Sequence, residues 1–299
     1  MKLFFVRHGE TVDNVAQIYA GVRDSALTNQ GVLQAERLGQ HLASLDVKVK
    51  HVLSSDLQRA FKTAEAIRLA QAVTAEGVED TCCQVTTQLP VLREQDFGFY
   101  EGKPFYARPT NSTATGREAH QQQHKDDEGF QDVESRESMI ARMNRFLGDH
   151  LMPLLIDSAS SEDTMVIVSH GIILSVLWRC FLLRFSPGSF SVSPGLLPVG
   201  RTLEYLGGWS NTGYLEVKVD RPTDSSTTLE HPPGSDDNKE PEPVLMPLPT
   251  LKGWRAFIKT VNGQDHLQGL KRTRGGVGSS KHDEGQQKIE SFFKKRKSM

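Results

Sequence analysis

Two residues with complementary chemistry, Arg7 and His8, follow directly on an apolar run at residues 3–6. A short apolar run that ends in polar residues predicts a buried strand, and ligands of open α/β sheets bind beyond the carboxyl ends of such strands. A guanidinium can hold phosphoryl oxygens while a neutral imidazole beside it attacks phosphorus. The pair therefore predicts a phosphoryl-transfer site. The structural alternative is an Arg and a His that are merely solvated at the end of an element.

Three further segments carry side chains suited to the same chemistry. Arg59 lies in the first turn of a helix predicted to begin after residues 54–56, where free backbone N–H groups favour an anion. Glu94 lies in a predicted loop, and His170 and Gly171 end a second apolar run. Each has an alternative: Arg59 as a paired surface cation, Glu94 as an ordinary loop carboxylate and His170 as a core histidine.

The elements that must position these residues alternate between strand-like and helix-like patterns as far as about residue 220, which predicts an α/β domain. Strands are expected at residues 3–6, 51–53 and 165–168, with late edge or antiparallel strands at 203–206 and 214–217. Helices are expected after Thr28, a plausible N-cap, after residues 54–56, and from Gly171 to about Leu183.

The composition argues against several function classes. The 299 residues carry 35 Lys and Arg against 37 Asp and Glu, so the total charge does not indicate a nucleic-acid or membrane protein. Three cysteines form neither a disulfide framework nor a metal-ligand spacing, which fits a reducing compartment. The apolar residues before Arg7 are too few to form the core of a signal peptide. The apolar run after His170 is too short to span a membrane. We expect a soluble protein of the cytoplasm, the nucleus or both.

Five ordered motifs resemble those of the histidine phosphatase superfamily, the phosphoglycerate mutase-like group, over residues 1 to about 220. They are Arg7-His8-Gly9-Glu10-Thr11, Asp24…Leu27-Thr28…Gly31…Gln34-Ala35, Ser54-Ser55-Asp56-Leu57-Gln58-Arg59-Ala60, Leu92-Arg93-Glu94…Glu101-Gly102 and Ser169-His170-Gly171. The resemblance implies a three-layer α/β/α fold with a mostly parallel central sheet. It also implies a small phosphorylated substrate.

The resemblance further implies a role for each site residue. His8 would be the nucleophile that forms a phosphohistidine, and Glu94 the acid that protonates the leaving group and then the base that activates water. His170 would be a third catalytic residue beside the phosphoryl group. The implied phosphate ligands are Arg7, Arg59, Asn14, Thr11 and Gly171. No metal or cofactor is implied, because His8 and His170 have no carboxylate or cysteine partner at ligand spacing.

The resemblance is compatible with two reactions, hydrolysis of a phosphate ester and transfer of a phosphoryl group. In the resembling mutases, an adjacent Arg-Arg pair serves the second phosphate, whereas residues 103–134 of this chain contain only scattered cations. That departure favours a phosphatase over a mutase. Among phosphatases, the segments around Glu94 and at residues 210–213 are most similar to the fructose-2,6-bisphosphatase (TIGAR-type) branch. A sugar bisphosphate such as fructose 2,6-bisphosphate is therefore the expected substrate class.

The remaining segments suggest accessory regions. Residues 104–134 form either a lid inserted in the domain of residues 1–220 or a plain loop, and residues 221–250 have the acidic, Pro- and Ser-rich composition of a linker. Helical spacing of Trp254, Phe257 and Ile258 predicts a short docking helix at 251–262. A basic, largely disordered, flexible tail is expected over residues 263–299.

The tail contains a second functional motif, at residues 286–293. Gln286, Ile289, Phe292 and Phe293 resemble the motif that docks on the DNA sliding clamp (PCNA), and a basic cluster at 294–297 resembles a nuclear import signal. The resemblance implies that the two phenylalanines and the isoleucine fill an apolar pocket of that partner. The alternative is a solvated basic tail, or one that packs its phenylalanines on its own domain. The sequence does not indicate an oligomeric state.

Overall fold

A seven-stranded sheet organises the part of the chain that the computed structural model describes, residues 1–45, 47, 49–74, 85–105, 125–157, 163–196, 202–222, 250–270, 276–283 and 285. The strands are β1 (Lys2–Arg7), β2 (Val49–Ser54), β3 (Thr86–Gln88), β4 (Thr164–Ser169), β5 (Phe190–Val192), β6 (Tyr214–Asp220) and β7 (Arg255–Gly263). Their order across the sheet is β3-β2-β4-β1-β6-β7-β5.

Most strand pairs in this sheet are parallel. β3, β2, β4 and β1 run parallel to their neighbours, while β6 pairs antiparallel with both β1 and β7. Along the central pair β1 and β4, Arg7 lies opposite Ser169. The residues that follow, His8 and His170, therefore leave the sheet side by side at the carboxyl edge of parallel strands, where α/β proteins bind ligands.

Helices cover both faces of the sheet. They are α1 (Val12–Ala16), α2 (Asn29–Ser44), α3 (Gln58–Thr74), α4 (Arg136–Phe146), α5 (Met152–Asp157) and α6 (Gly171–Leu182), and a π-helical turn at Leu147–Leu151 joins α4 to α5. Thr28 caps α2 as its residue type predicts, since its hydroxyl accepts a hydrogen bond from the Gly31 N–H at 2.9 Å.

The alternation of side chains along β1 explains the layers. Leu3 and Phe5 belong to one apolar cluster, with residues of α4, α5 and α6, while Phe4 and Val6 belong to a second cluster with residues of α2 and α3. All four side chains are fully buried, and each such burial contributes about 1.5–3 kcal/mol to the free energy of folding. The predicted three-layer α/β/α architecture with a mostly parallel sheet is confirmed.

The predicted docking helix at 251–262 is wrong, because this segment contains strand β7. Ala256 and Ile258 are buried, whereas Arg255 and Lys259 are exposed, which is the two-residue period of a strand. The spacing of Trp254, Phe257 and Ile258 that suggested a helix is also compatible with this strand, so a short apolar pattern could not distinguish the two.

The boundary predicted at residue 220 is also wrong, because β7 pairs with β6 inside the same sheet. The described residues after β7, 264–270 and 276–283, include contacts with the domain, although the Gly-rich, basic composition of this region predicted disorder. Nε2 of His266 is hydrogen-bonded to Oγ1 of Thr212 at 2.9 Å, and the His282 N–H donates to the Leu27 carbonyl at 3.1 Å. These contacts depend on single polar groups, which leave no periodicity in the sequence.

The strand predicted at 203–206 is not observed, and this stretch instead forms a turn. Most of the expected lid (106–124), most of the linker (223–249) and the clamp-binding motif (286–293) lie outside the described residues. Within the described part of the chain, no helix has both the length and the apolar character needed to cross a membrane.

Candidate active site

His8 is the first residue after β1, and its backbone fixes it at the sheet edge. Its N–H donates to the Ser169 carbonyl of the neighbouring strand at 3.0 Å. The ring nitrogen Nδ1 lies 2.7 Å from the Gly9 carbonyl oxygen, which can only accept a hydrogen bond. Nδ1 must therefore carry the proton, and Nε2 of the neutral ring keeps a lone pair.

His170 lies beside His8, with 5.1 Å between the ring centroids. The Arg59 Nε–H donates to Nδ1 of His170 at 3.1 Å, so the proton of the neutral ring is on Nε2, the opposite arrangement from His8. Nε2 of His170 is buried and has no hydrogen-bond partner among the described residues. The pair thus presents one nucleophilic nitrogen and one hydrogen-bond donor.

Arg59 also hydrogen-bonds to a neighbouring loop. Its Nη groups donate to backbone carbonyls: Nη1 donates to Arg23 at 2.6 Å, and Nη2 donates to Ala20 and Gly21 at 3.0 and 2.7 Å. The side chain is 1% exposed. Arg59 therefore orients His170 and contributes positive charge beside the two histidines, and its direct contact with phosphate stays a prediction.

The N-terminus of α3 has an acidic partner within the chain. The Gln58 N–H donates to the Asp24 carboxylate at 2.8 Å, so an acidic side chain of the chain itself occupies this helix end. The prediction of an anion site there identified the right electrostatics, but the carboxylate of Asp24 provides the charge. A sequence does not reveal which distant acidic residue will reach a given helix terminus.

Arg7 faces the site from the end of β1. Its Nη1 donates to the Trp209 carbonyl at 2.6 Å, while its buried Nε has no partner among the described residues. The unpartnered Nε–H of Arg7 and Nε2–H of His170 are two buried donors near His8. Buried donors in native proteins are nearly always hydrogen-bonded, so this pair fits an anionic ligand.

Glu94 contacts the first turn of α6. Its Oε1 accepts hydrogen bonds from the N–H groups of Ile173 at 2.9 Å and Gln95 at 3.0 Å, and its Oε2 accepts from the Ile172 N–H at 3.1 Å. Its carboxylate thus lies at the positive end of the helix that His170 and Gly171 begin. Glu94 is 9% exposed and lines the same cavity as His8.

That cavity has a volume of about 720 Å³, which suits a small-molecule ligand. Five predicted site residues line it: Arg7, His8, Asn14, Glu94 and Gly171. Four aromatic residues also line it: Tyr19, Phe97, Phe105 and Trp209. The cavity therefore combines a charged end with apolar walls, as binding sites for phosphorylated organic molecules require.

Asn14 lines the cavity, whereas Thr11 lies outside its lining and caps α1. The Thr11 hydroxyl accepts from the Asn14 N–H at 3.1 Å and so caps α1, and Thr11 is fully buried and outside the cavity lining. Thr11 is therefore a helix N-cap, a role that Thr commonly has before a helix, and its contact with phosphate stays a prediction. Oδ1 of Asn14 accepts from the Thr11 N–H and from Nδ2 of Asn211, and the residue lines the cavity.

The electrostatics of the site favour neutral histidines. Burial, reinforced by the positive charges of Arg59 and Arg7, lowers the pKa of His8 well below its usual value. The pKa of His170 is also well below its usual value, because of its burial and the nearby charges of Arg59 and His8. Burial lowers the pKa of Arg59 to about 10, so this guanidinium remains charged at neutral pH. A neutral His8 is the form with a nucleophilic lone pair.

Glu101 is a supporting residue whose role the sequence did not reveal. Its carboxylate accepts from the backbone N–H groups of Gly21, Val22, Arg23 and Phe97, at 3.0–3.2 Å. It thereby holds the loop whose carbonyls bind Arg59. The Glu101-Gly102 motif contributed to the family resemblance, but it did not indicate that Glu101 holds this loop.

Trp209 and Asn211 were also missed as site residues. The Trp209 carbonyl binds Arg7, and Nδ2 of Asn211 donates to the His8 carbonyl at 3.2 Å. Both lie in the segment before β6, which is brought to the site because β6 pairs with β1. The sequence predicted an edge or antiparallel strand at 214–217, but not that this strand pairs with β1.

Comparison with known proteins agrees with this geometry. The sequence model of the "Histidine phosphatase superfamily (branch 1)" matches residues 3–192. A protein of Schizosaccharomyces pombe named "Probable phosphatase" is 28% identical over 291 residues, covering 97% of this chain and 79% of that protein. A "Probable phosphoglycerate mutase" of Proteus mirabilis is 33% identical over 186 residues, covering 59% of this chain and 73% of that protein.

Solved structures share the fold. A structure titled "Mycobacterial hydrolase 1" superposes with a TM-score of 0.57 at 19% identity, covering 88% of this chain and 99% of that one. A mycobacterial glucosyl-3-phosphoglycerate phosphatase in complex with VO3 has a TM-score of 0.51 at 22% identity, covering 73% of this chain and 92% of that one. Because the family match spans more than half of the sequence, the chain belongs to the histidine phosphatase superfamily and is an enzyme of that family.

Proposed function

We propose that the protein is a phosphomonoester hydrolase that acts through a phosphohistidine at His8 on a small phosphorylated metabolite. The observation that carries this proposal is the state of His8: a buried neutral imidazole with its proton held on Nδ1 by Gly9, lining a cavity beside the guanidinium of Arg7. An imidazole in this state is prepared to attack an electrophile with Nε2.

In the first step, the Nε2 lone pair of His8 forms a bond to phosphorus as the bond from phosphorus to the ester oxygen breaks. The Nε–H of Arg7 and the Nε2–H of His170, which have no partner among the described residues, would donate to the phosphoryl oxygens. Protonated Glu94 would give its proton to the departing alkoxide, and so become a carboxylate. The alcohol product then leaves the cavity.

In the second step, water attacks the phosphorus of the phosphohistidine and the P–N bond breaks, which returns the electron pair to Nε2. The Glu94 carboxylate accepts the proton of the attacking water, so both His8 and Glu94 regain their starting states. The hydrogen bonds from the first turn of α6 would stabilise the carboxylate that exists between the two steps. The chain itself thus supplies all the groups that this cycle needs.

A phosphoglycerate mutase-type phosphotransferase is the second candidate, because relatives named probable phosphoglycerate mutases match the chain. A mutase must hold a doubly phosphorylated intermediate and exclude water. The absence of an adjacent basic pair from the sequence of residues 103–134 favours hydrolysis. A scaffold role with no chemistry is disfavoured, because the catalytic side chains are present and assembled.

A comparison of phosphate release with phosphoryl transfer tests this choice. The purified protein should release inorganic phosphate from phosphomonoesters at least about tenfold faster than it interconverts 2- and 3-phosphoglycerate, a margin of about 1.4 kcal/mol in the two barriers. In ¹⁸O-labelled water the released phosphate should contain one solvent oxygen. Efficient mutase turnover with little phosphate release would reject the hydrolase proposal in favour of the second candidate.

The substrate we propose is a sugar bisphosphate such as fructose 2,6-bisphosphate. The support is the likeness of residues 210–213 and of the Glu94 segment to the fructose-2,6-bisphosphatase branch, together with a cavity large enough for a phosphorylated sugar. A phosphate-release screen over sugar phosphates, bisphosphoglycerates, nucleotides and phosphopeptides tests this choice. Phosphotyrosine peptides as the best substrates would overturn it.

We also propose that the C-terminal segment binds the DNA sliding clamp and that the protein acts in the nucleus as well as the cytoplasm. The support is the sequence alone: Gln286, Ile289, Phe292 and Phe293 occupy all four motif positions, and a basic cluster follows. With purified clamp, we expect micromolar binding by calorimetry that Phe292→Ala with Phe293→Ala weakens at least about tenfold, because the aromatic anchors dominate such contacts. Unchanged binding by this variant, or no binding by the full chain, would dismiss the proposal.

A further inference from the structure

A second cavity adjoins the catalytic one. It has a volume of about 500 Å³ and is lined in part by Trp178, Glu204 and Tyr205. Ser175, Arg179 and Trp209 line both cavities. Arg179 therefore borders the same cavity as His8, and a ligand bound at His8 can extend towards it.

The face of α6 explains how the cavities are joined. Gly171, Ser175 and Arg179 follow one another at four-residue intervals and so lie along one side of the helix. The Trp209 Nε1–H donates to Oγ of Ser175 at 3.0 Å, and this hydroxyl donates to the Gly171 carbonyl at 3.0 Å. The indole is thus fixed against α6 between the catalytic end and Arg179.

Arg179 is a cation with spare hydrogen-bonding capacity. Its guanidinium lies 5.7 Å from the ring centroid of Tyr205 and makes no hydrogen bond or ion pair with the described residues. Eight residues separate it from Gly171, or about 12 Å along the helix axis. Because helical side chains lean towards the helix N-terminus, the guanidinium lies closer to the catalytic end than its own Cα does.

We propose that Arg179 is a specificity-determining residue that binds a second anionic group of the substrate. The substrate class is then a phosphomonoester that carries another phosphate or a carboxylate roughly one sugar length from the reacting phosphate, with its middle against Trp209. This inference rests on the proposed hydrolase function. The Glu204 carboxylate, which also lines the second cavity, would repel the anion from the far wall and so confine it to the side of Arg179.

A purely structural role is the competing explanation for Arg179. It lies in the last turn of α6, where any cation interacts favourably with the helix dipole. A dipole effect would change stability, and it would change the activity on all substrates alike. An anion subsite would change the preference among substrates, and this difference makes the proposal testable.

The test compares substrates that differ by one phosphate: fructose 2,6-bisphosphate with fructose 6-phosphate, and 2,3-bisphosphoglycerate with 3-phosphoglycerate. We expect the wild-type protein to prefer at least one bisphosphate over its monophosphate counterpart in kcat/KM. Arg179→Gln should lower that preference about 10- to 100-fold, mainly through KM, because a charge-assisted hydrogen bond is lost. Arg179→Lys should restore part of it, and Arg255→Gln, an exposed arginine on β7, should leave it unchanged.

Three results would overturn the subsite. They are a wild-type protein that prefers neither bisphosphate, an Arg179→Gln variant that keeps the preference, and an equal loss on bisphosphates and monophosphates. Calorimetric binding of the same compounds to His8→Ala, with and without Arg179→Gln, separates this proposal from the hydrolase proposal. Selective bisphosphate binding that depends on Arg179, without turnover by the wild-type protein, would support the subsite and reject hydrolysis.

Discussion

Replacement of His8 by alanine should abolish phosphate release, lowering kcat/KM by about 10⁴- to 10⁶-fold, the range typical of losing a covalent nucleophile. The expectation follows from the position of His8 on the cavity wall and from its fixed Nδ1 proton, which leaves Nε2 as the attacking atom. The measurement is release of nitrophenol and phosphate from p-nitrophenyl phosphate. Acid-labile ³²P incorporation, present in the wild-type protein, should disappear in the variant.

A matched control separates loss of chemistry from loss of the fold. His150, in the π-helical turn between α4 and α5, is remote in sequence from the site residues, and His150→Ala should keep wild-type turnover. His8→Ala should retain the circular dichroism of the wild-type protein, because the truncation removes no apolar packing from either core cluster. Turnover that survives His8→Ala would reject a phosphohistidine mechanism.

The positions of the two histidines could be predicted from the sequence for a simple physical reason. Each follows a run of apolar residues long enough to be recognised as a buried strand, β1 or β4. Adjacent parallel strands end at the same edge of a sheet, so two motifs separated by more than 150 residues become neighbours. The apolar pattern of each strand and this one rule of sheet topology were sufficient to predict that His8 and His170 lie side by side.

The orientation of Arg59 could not be predicted in the same way. Whether a guanidinium faces a ligand or the backbone depends on the loop opposite it, and that loop is held by Glu101 from another part of the chain. A sequence identifies Arg59 as a cation near the site but not the acceptors it will find. The same limit applies to Thr11, whose role as a helix cap was not predicted from the sequence.

The late strands show a different limit. β6 was recognised from its apolar residues, but β7 was taken for a helix because its short pattern fits both periods. Only the pairing of β7 with β6 decides between them, and pairing is a long-range property. The partner of β6 matters for function, because the pairing of β6 with β1 brings Trp209 and Asn211, which precede β6, to the catalytic edge.

Replacement of Glu94 by glutamine tests the proton-transfer role, and the expected loss depends on the leaving group. For an alkyl phosphate such as fructose 6-phosphate, the departing alkoxide needs a proton, so kcat should fall about 10²- to 10⁴-fold. For p-nitrophenyl phosphate the leaving group is stable without a proton, so the first step should be nearly unaffected. The glutamine oxygen can still accept from the N–H groups of Ile173 and Gln95, whereas the amide nitrogen that replaces Oε2 cannot accept from the Ile172 N–H.

The second step makes the prediction sharper. Without a carboxylate to accept the proton of water, the phosphohistidine of Glu94→Gln should break down slowly whichever ester formed it. Rapid mixing with p-nitrophenyl phosphate should therefore give a burst of about one nitrophenol per enzyme molecule, followed by slow turnover, and phosphoenzyme should accumulate. Glu65→Gln is the matched control, because that carboxylate pairs with Arg68 outside the reaction cavity, and it should give no burst. An equal loss for both substrates with no burst would mean that Glu94 acts through structure alone, since only a group that moves the proton in both steps predicts a fast first turnover and a slow second one.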